Sequence, residues 1–388
     1  MAHSKSILIY HRFASLVPAG DCILPLMFIA ALQGKFDVTV VMNLNFDLAG
    51  AASKFHVQLD ASNVKVVVLP RQENSLSIGR QLKALSRNAH ACICTSGIAD
   101  FGRPAHHFIC NLSTIGGKAF FDYMKNVRTR TGLRRMARKV GTWCHENIAK
   151  RFFGIRSLRK IFADPREHIY PTSRYVEDVM RDYFGPFNST VFYPPTVFEI
   201  DARDVERDPL KVVYIGRLDQ NKRIADIVST VARARELSGQ DLTLDIAGVL
   251  PPTSYADVIK RLAAQNSWVT FKGPRYGDDK RRFLLSGTFA VHAERTETFG
   301  IAITEYMKAG VIPVVPDGGG VYEIVAKPAL CFHSIEESAR ILARLVSDTG
   351  FREEMLRHCT ARAEDFSCRA YTERQSEILA KITSATPS

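Results

Sequence analysis

Three short motifs in the second half of the sequence combine glycine with charged side chains. The first runs from Gly216 to Lys222 and contains two cations, Arg217 and Lys222. A glycine at the end of a strand lets the backbone turn tightly, and two cations at that point can neutralise a diphosphate. Taken alone, the motif is also compatible with a solvated loop.

The second motif, Glu297-Thr298-Phe299-Gly300-Ile301, opens a predicted helix that contains Glu305. The free amides at a helix start suit a phosphate or a sugar hydroxyl, and Gly300 permits close approach. Glu305 follows about a turn and a half later, at ~3.6 residues per turn. Carboxylates are strong acceptors for vicinal hydroxyls, so one glutamate could bind a transferred sugar and the other a ribose. The alternative is surface charge at a helix start.

The third motif, Pro316-Asp317-Gly318-Gly319-Gly320, leads to Glu323. A glycine run of this kind indicates a loop that approaches another group closely, or a simple turn.

Each motif follows a predicted buried strand, and the strands of both halves alternate with helical patterns. This alternation predicts two open parallel α/β sheets. The predicted strands are Ile7 to Tyr10, Asp37 to Met42, Val64 to Leu69, Ala91 to Cys94, Lys211 to Ile215, Leu242 to Ala247, Trp268 to Lys272, Thr288 to His292 and Ile312 to Val315. In open α/β sheets, ligands bind beyond the carboxyl ends of the strands, where the three motifs lie.

The best linker candidate is the Pro194-Pro195 pair, with the charged run from Asp201 to Asp208 after it. The length of 388 residues also favours two domains. We therefore predict one domain over residues 1–198 and a second over residues 199–365. A C-terminal helix in 366–388 is expected to pack back on the first domain.

Together, the motifs resemble those of glycosyltransferase family four, the glycosyl transferases group 1. The resemblance rests on Gly216-Arg217-Leu218 with Lys222, on Glu297 and Glu305 around Phe299-Gly300, and on Gly318-Gly319 with Glu323. It implies the GT-B fold, two Rossmann-like doubly wound domains with a donor cleft between them. In that fold residues 1–198 would form the acceptor-binding domain and residues 199–365 the sugar-nucleotide-binding domain. The resemblance also implies a retaining hexosyl transfer from a nucleoside diphosphate sugar, without a metal ion or other cofactor.

In this resemblance the residues have separate roles. Arg217 and Lys222 stabilise the leaving diphosphate, and Glu297 acts at the transferred sugar. The donor phosphate takes part as the base, so no protein nucleophile is assigned. The implied donor-binding residues are Gly20, Gly216, Phe299, Gly300, Ile301, Glu305, Gly318 and Gly319.

The first half departs from the family pattern. The loop after the first strand offers one glycine, Gly20, where the family is glycine-rich. Asn111 stands where the family has histidine, with His106 and His107 upstream. These three are acceptor-side candidates, and for the histidines a packing role is the alternative.

The net charge of +12 is concentrated in residues 125–160, which contain twelve basic residues and one acid, Glu146. With Trp143, Phe152 and Phe153 interleaved, the stretch suits an anionic membrane surface, and a solvated face or an RNA site are the alternatives.

The eight scattered cysteines indicate reduced thiols, and neither a signal peptide nor a membrane span is predicted. We therefore expect a cytoplasmic enzyme, peripheral on the membrane, with a lipid-linked or polysaccharide acceptor and no nucleic acid partner. The alternatives are a soluble transferase for a free oligosaccharide or small molecule, and a non-catalytic protein that binds a sugar nucleotide or RNA.

Overall fold

The computed structural model describes residues 5–13, 22–69, 75–112, 115, 154–197 and 206–384. The chain forms two units, one made of Met1–Pro194 with Thr372–Ser388 and the other of Pro195–Tyr371. The boundaries expected from the sequence, after residues 198 and 365, lie a few residues from these points. Gly20, residues 125–153 of the basic stretch and residues 201–205 of the expected linker lie outside the described residues.

The first unit is built on six parallel strands. They are β1 (Ser6–His11), β2 (Asp37–Met42), β3 (Val64–Val68), β4 (Ala91–Cys94), β5 (His106–Ile109) and β6 (His168–Pro171). Their order is β3-β2-β1-β4-β5-β6, with Ser6 opposite Asp37 and Ile7 opposite Ala91. β1 is buried at five of its six positions, as expected for a strand covered on both faces.

The described helices of this unit are α1 (Ile23–Leu32), α2 (Leu48–Lys54), α3 (Ser75–Ser86), α4 (Leu158–Phe162) and α5 (Arg174–Phe184). Ser173 caps α5, because its hydroxyl accepts a hydrogen bond from the amide of Val176 at 3.2 Å. The C-terminal helix, α13 (Cys368–Ser384), enters this unit from Thr372 onward. The carbonyl oxygen of Thr383 accepts from Lys5 Nζ at 3.0 Å.

A buried ionic network holds together the region around Arg156. The guanidinium of Arg156 lies 2.8 Å from Asp100 Oδ1 and 2.7 Å from Glu167 Oε1. The Asp100 and Glu167 side chains are 3% and 1% exposed. His107 Nε2 lies 2.9 Å from Glu167 Oε2 in the same network. Arg156 belongs to the basic stretch of the sequence, but its charge is directed inward, whereas Arg159 and Lys160 are exposed.

The second unit repeats the same architecture. Its strands are β7 (Lys211–Ile215), β8 (Thr243–Ala247), β9 (Val269–Gly273), β10 (Phe289–Val291), β11 (Ile312–Pro316) and β12 (Cys331–Phe332). They are parallel in the order β12-β11-β10-β7-β8-β9, so each unit has the doubly wound order 3-2-1-4-5-6. In this order the winding direction reverses between β7 and β10, where doubly wound sheets bind their ligands.

The described helices of the second unit pack on both faces of its sheet. They are α6 (Ile224–Ser238), α7 (Tyr255–Gln265), α8 (Gly277–Leu285), α9 (Ile301–Lys308), α10 (Gly319–Val325), α11 (Ile335–Ser347) and α12 (Thr349–Ala363). Ser334 caps α11 and Asp348 caps α12 through the amides of Glu337 and Phe351. Across the described parts of both units, we find no helix that combines the length and apolar character needed to cross a bilayer.

Candidate active site

The loop after β7 presents Arg217 to solvent and turns Lys222 inward. The amide of Gly216 donates to the carbonyl of Ala247 at 3.1 Å, which continues the pairing with β8 beyond the strand. The Arg217 side chain is 76% exposed and lies 2.9 Å from Asp219 Oδ2. A short 3-10 turn over Gln220–Lys222 then directs Lys222 into the unit, where the residue is 7% exposed.

Lys222 lies between two carboxylates. Its Nζ is 2.6 Å from Glu294 Oε2 and also donates to Glu297 Oε2. Burial opposes the charge of Lys222, but the two carboxylates more than compensate, so the pKa of Lys222 is raised. An ammonium group has three N–H donors, and two of them are engaged here. Lys222 is therefore a fixed cation with one donor left for a ligand.

Glu294 and His292, which the sequence analysis does not identify as site residues, complete this cluster. Burial, followed by repulsion from Glu297, raises the pKa of Glu294. Burial lowers the pKa of His292 to about 4, so the imidazole is neutral at pH 7. Its Nε2 is 3.6 Å from Glu297 Oε2. His292 directly follows β10, and Glu294 lies three residues beyond its end. Because ligands bind beyond the carboxyl ends of the strands, the position that indicated Glu297 could also have indicated these two residues.

The same three side chains could in principle hold a metal ion. One ligand atom from each of His292, Glu294 and Glu297 lies within 4.8 Å of the others. However, Lys222 already lies against both carboxylates. A divalent ion would have to displace that ammonium, so the arrangement fits an internal cation better than a metal.

The start of α9 places backbone amides beside this cluster. Gly300 caps the helix with φ of 88°, a left-handed conformation that favours glycine. The Phe299 side chain is buried, and its ring lies 5.7 Å from that of Phe366 in an edge-to-face contact. Phe299 therefore packs in the core, which leaves the backbone of residues 299–301 for any ligand contact.

Glu305 lies in the second turn of α9 and is buried. Its Oε1 is 2.5 Å from Nζ of Lys280, a residue of α8 that no sequence motif indicated. The two neighbours of Glu305 on α9 are bonded elsewhere, Thr304 to the hydroxyl of Thr196 at 2.7 Å and Tyr306 to the amide of Ile215 at 2.7 Å.

The glycines Gly318 to Gly320, which the sequence predicts as a loop, instead form the start of α10 and support the Glu297 loop. The amide of Gly320 donates to the Glu297 carbonyl at 2.7 Å. Gly319 has φ of 73°, and a Cβ atom there would lie 2.9 Å from the carbonyl oxygens of Arg295 and Glu297. The close approach expected from the sequence is therefore made to protein backbone.

In the first unit, the three acceptor-side candidates His106, His107 and Asn111 differ in burial and in their contacts. His107 is fully buried against Glu167, where an acceptor would not reach it, so the packing alternative describes it. His106 Nδ1 lies 3.2 Å from the Tyr170 hydroxyl, and burial lowers the pKa of His106 to about 3. Asn111 is exposed after β5.

Part of the chain is similar in sequence to known glycosyltransferases. Residues 198–365 match the family model described as glycosyl transferases group 1. Over 156 residues, the chain is 28% identical to GDP-Man:Man(3)GlcNAc(2)-PP-Dol alpha-1,2-mannosyltransferase of Kluyveromyces lactis, covering 36% of this chain and 27% of the relative. An uncharacterized glycosyltransferase of Methanocaldococcus jannaschii is 29% identical over 154 residues, covering 38% of this chain and 39% of the relative. These matches span less than two-fifths of the length of either relative.

The fold has similar solved structures that extend over nearly the whole chain. Anabaena HepE, solved in complex with UDP, has a TM-score of 0.68 at 15% identity and covers 97% of this chain and 100% of its own. WaaG, a glycosyltransferase involved in lipopolysaccharide biosynthesis, has a TM-score of 0.66 at 13% identity, with coverage of 98% and 100%. At these identities the likeness shows the fold alone, which is GT-B, as predicted.

Proposed function

We propose, from the match of residues 198–365 to the glycosyl transferases group 1 family model, that the chain is a retaining transferase that uses a nucleoside diphosphate sugar. It moves a hexose to a lipid-linked or polysaccharide acceptor. The observation that carries this proposal is the cluster of Arg217, Lys222 and Glu297 at the carboxyl ends of β7 and β10.

In the proposed mechanism, the two cations meet charge that grows as the glycosidic bond breaks. Lys222 offers its remaining N–H to a diphosphate oxygen, and Arg217 adds a planar guanidinium from the surface. Such preorganised donors stabilise the departing diphosphate more than they stabilise the intact donor. Glu297 accepts from a hydroxyl of the transferred sugar, and Glu305 accepts from the ribose. The diphosphate serves as the base on the face from which it leaves, without a metal ion.

The proposed acceptor follows from the relatives and from the charge pattern. The mannosyltransferase of K. lactis is named for a substrate linked to PP-Dol, and WaaG acts in lipopolysaccharide biosynthesis. The basic stretch of residues 125–160 would bring the protein to an anionic cytoplasmic leaflet. Arg156 is excluded from that role because Asp100 and Glu167 engage it.

A thermal-unfolding screen against UDP-, GDP- and ADP-sugars tests the donor. A ligand that binds the native state stabilises it by RT ln(1 + [L]/Kd), or about 2.7 kcal/mol at a hundred times Kd. We expect one base class to raise the unfolding temperature clearly above the other two. Glu305→Ala should then raise the KM for that donor with kcat little changed, because a ribose contact is equally strong in ground and transition states.

Lys327→Ala provides the matched control for this screen, since Lys327 forms an exposed pair with Glu354 in the same unit. It should leave both the temperature shift and KM as in wild type. An unchanged KM with a collapsed kcat in Glu305→Ala would remove Glu305 from the ribose. No shift with any sugar nucleotide would refute the donor assignment.

The membrane part of the proposal predicts release by charge reversal. Changing Arg134, Arg135, Arg138 and Lys139 together to Glu should abolish binding to vesicles that contain an anionic phospholipid. Each basic residue near such a surface contributes about 1 kcal/mol. Wild-type binding should also weaken steeply with salt, because the Debye length falls from ~10 Å at 0.1 M to ~3 Å at 1 M. Vesicle co-sedimentation measures both effects.

In the same variant, donor hydrolysis should survive, because its proposed machinery lies in the other unit. Reversal of the exposed acids Glu353 and Asp241 to Lys serves as a control for charge changes away from the stretch. If the fourfold variant still sedimented with vesicles but lost binding to RNA or to a soluble anionic glycan, the membrane assignment would be wrong.

A further inference from the structure

The pair formed by Lys280 and Glu305 joins two helices of the second unit. Lys280 lies on α8, and its Nζ is 2.5 Å from Glu305 Oε1 on α9. The Glu305 side chain is 8% exposed and that of Lys280 is 26% exposed. A carboxylate buried to this degree needs a hydrogen-bonding or charged partner to replace the water that it loses.

Within the described part of the chain, Lys280 is the one ion-pair partner of Glu305. The adjacent hydroxyls of Thr304 and Tyr306 are bonded to other residues and do not orient the carboxylate. The rotamer of Glu305 is therefore fixed through a single oxygen, Oε1. Its second oxygen, Oε2, keeps its capacity to accept from a ligand hydroxyl.

We propose that Lys280 is a positioning residue for nucleotide binding, which holds Glu305 so that Oε2 accepts from a ribose hydroxyl. This inference rests on the proposed function, in which Glu305 binds the ribose. Lys280 acts through Glu305, so its effect appears only with ligands that carry the hydroxyl in question. A lysine that only stabilised the fold, or that contacted a phosphate, would affect all nucleotides alike.

The test is a comparison of ribonucleotide with deoxynucleotide binding. Calorimetric Kd values are measured for UDP, GDP and ADP and for their 2′-deoxy and 3′-deoxy counterparts, with wild type, Lys280→Met and Lys280→Arg. For the nucleotide that wild type binds, we expect Lys280→Met to weaken ribonucleotide binding about tenfold, as for loss of a hydrogen bond to a charged group. Binding of the deoxy counterpart should change less than twofold, so the preference for ribose falls. Lys280→Arg, which retains the cation, should restore most of that preference.

Lys272→Met is the matched control. Lys272 also pairs with a buried carboxylate of the same unit, with its Nζ 3.5 Å from Asp245 Oδ1, but it lies on β9 away from α9. Its loss should leave the ribose preference unchanged. Glu305→Gln should lower the preference by itself, and adding Lys280→Met to it should have little further effect, since residues that act as one unit are non-additive.

Three outcomes would overturn the inference. Lys280→Met could weaken ribonucleotide and deoxynucleotide equally, it could leave both unchanged, or its effect could persist undiminished in the Glu305→Gln background. If wild type bound none of the three nucleoside diphosphates, the proposed function itself would fail. If Lys280→Met did not fold, Lys280→Arg and the Glu305→Gln comparison would still decide, because each is judged on the same preference.

Discussion

Replacing Lys222 with Met is expected to reduce transfer by at least about 10²- to 10³-fold, the typical effect of losing one preorganised donor to a developing anion. It should also destabilise the protein, because Glu294 and Glu297 would be left side by side in a buried site without their cation. Breaking a buried ion pair by removal of one partner costs about 3–5 kcal/mol. Denaturant unfolding and transfer assays with the donor found by the screen measure the two effects separately.

Two further variants separate catalysis from stability. Adding Glu294→Gln to Lys222→Met removes one of the two stranded charges, so it should recover part of the lost stability without restoring transfer. Arg217→Met changes an exposed side chain, so transfer should fall while the free energy of unfolding stays within about 0.5 kcal/mol of wild type. Full transfer by a folded Lys222→Met protein would show that the ammonium does not meet the leaving group.

The second large effect is expected in the first unit, at Arg156. Arg156→Ala would leave Asp100 and Glu167 buried without their shared cation, and we expect the free energy of unfolding at pH 7 to fall by about 3–5 kcal/mol. Arg166→Ala is the matched control, because Arg166 pairs with Asp164 but is 66% exposed. Exposed pairs contribute about 0–1 kcal/mol. Equal losses in the two variants would contradict the assignment of Arg156 as the structural cation of two buried carboxylates.

The stability lost in Arg156→Ala should depend on pH. Burial by itself would raise the pKa of Asp100, but hydrogen bonds and charge from Arg156 lower it below its ordinary value. A depressed carboxyl pKa contributes stability above the unfolded value of about 3.9 and loses it as the pH falls through the folded value. Without Arg156 the carboxyl group of Asp100 should take up a proton at higher pH. The difference between wild type and Arg156→Ala should therefore shrink as the pH is lowered from 7 toward 5.

Most strands of the two sheets could be predicted, because buried parallel strands are continuous apolar runs in the sequence. The predicted limits of β2, β4 and β7 coincide with those of the structure. The same criterion does not predict β5, which begins with two histidines, or β6, which begins with His168 and ends with Pro171. It also misses the two residues of β12. β6 forms because β5 pairs with it in register, His106 opposite His168, and that partner is separated from it by a long stretch of chain.

The candidate site was predictable only where a residue follows a strand end. That rule brings Lys222 and Glu297 to adjacent loops, because β7 and β10 are neighbours in the sheet. It gives no information on Lys280, which meets Glu305 only because α8 and α9 pack with particular rotations. It also does not predict that Phe299 turns toward Phe366. Contacts between helices depend on tertiary packing, which a single sequence pattern does not specify.

The division of the chain has a consequence for the order of folding. The second unit, Pro195–Tyr371, is continuous, but the first is completed only by residues beyond Tyr371. Domains generally fold as units, the N-terminal one first as the chain is synthesised. Here the first unit is completed last. The hydrogen bonds from Lys5 and His90 to the carbonyl of Thr383 require a helix that is synthesised after the whole second unit. A chain truncated after Tyr371 should therefore contain every residue of the second unit and a first unit that still lacks its closing helix.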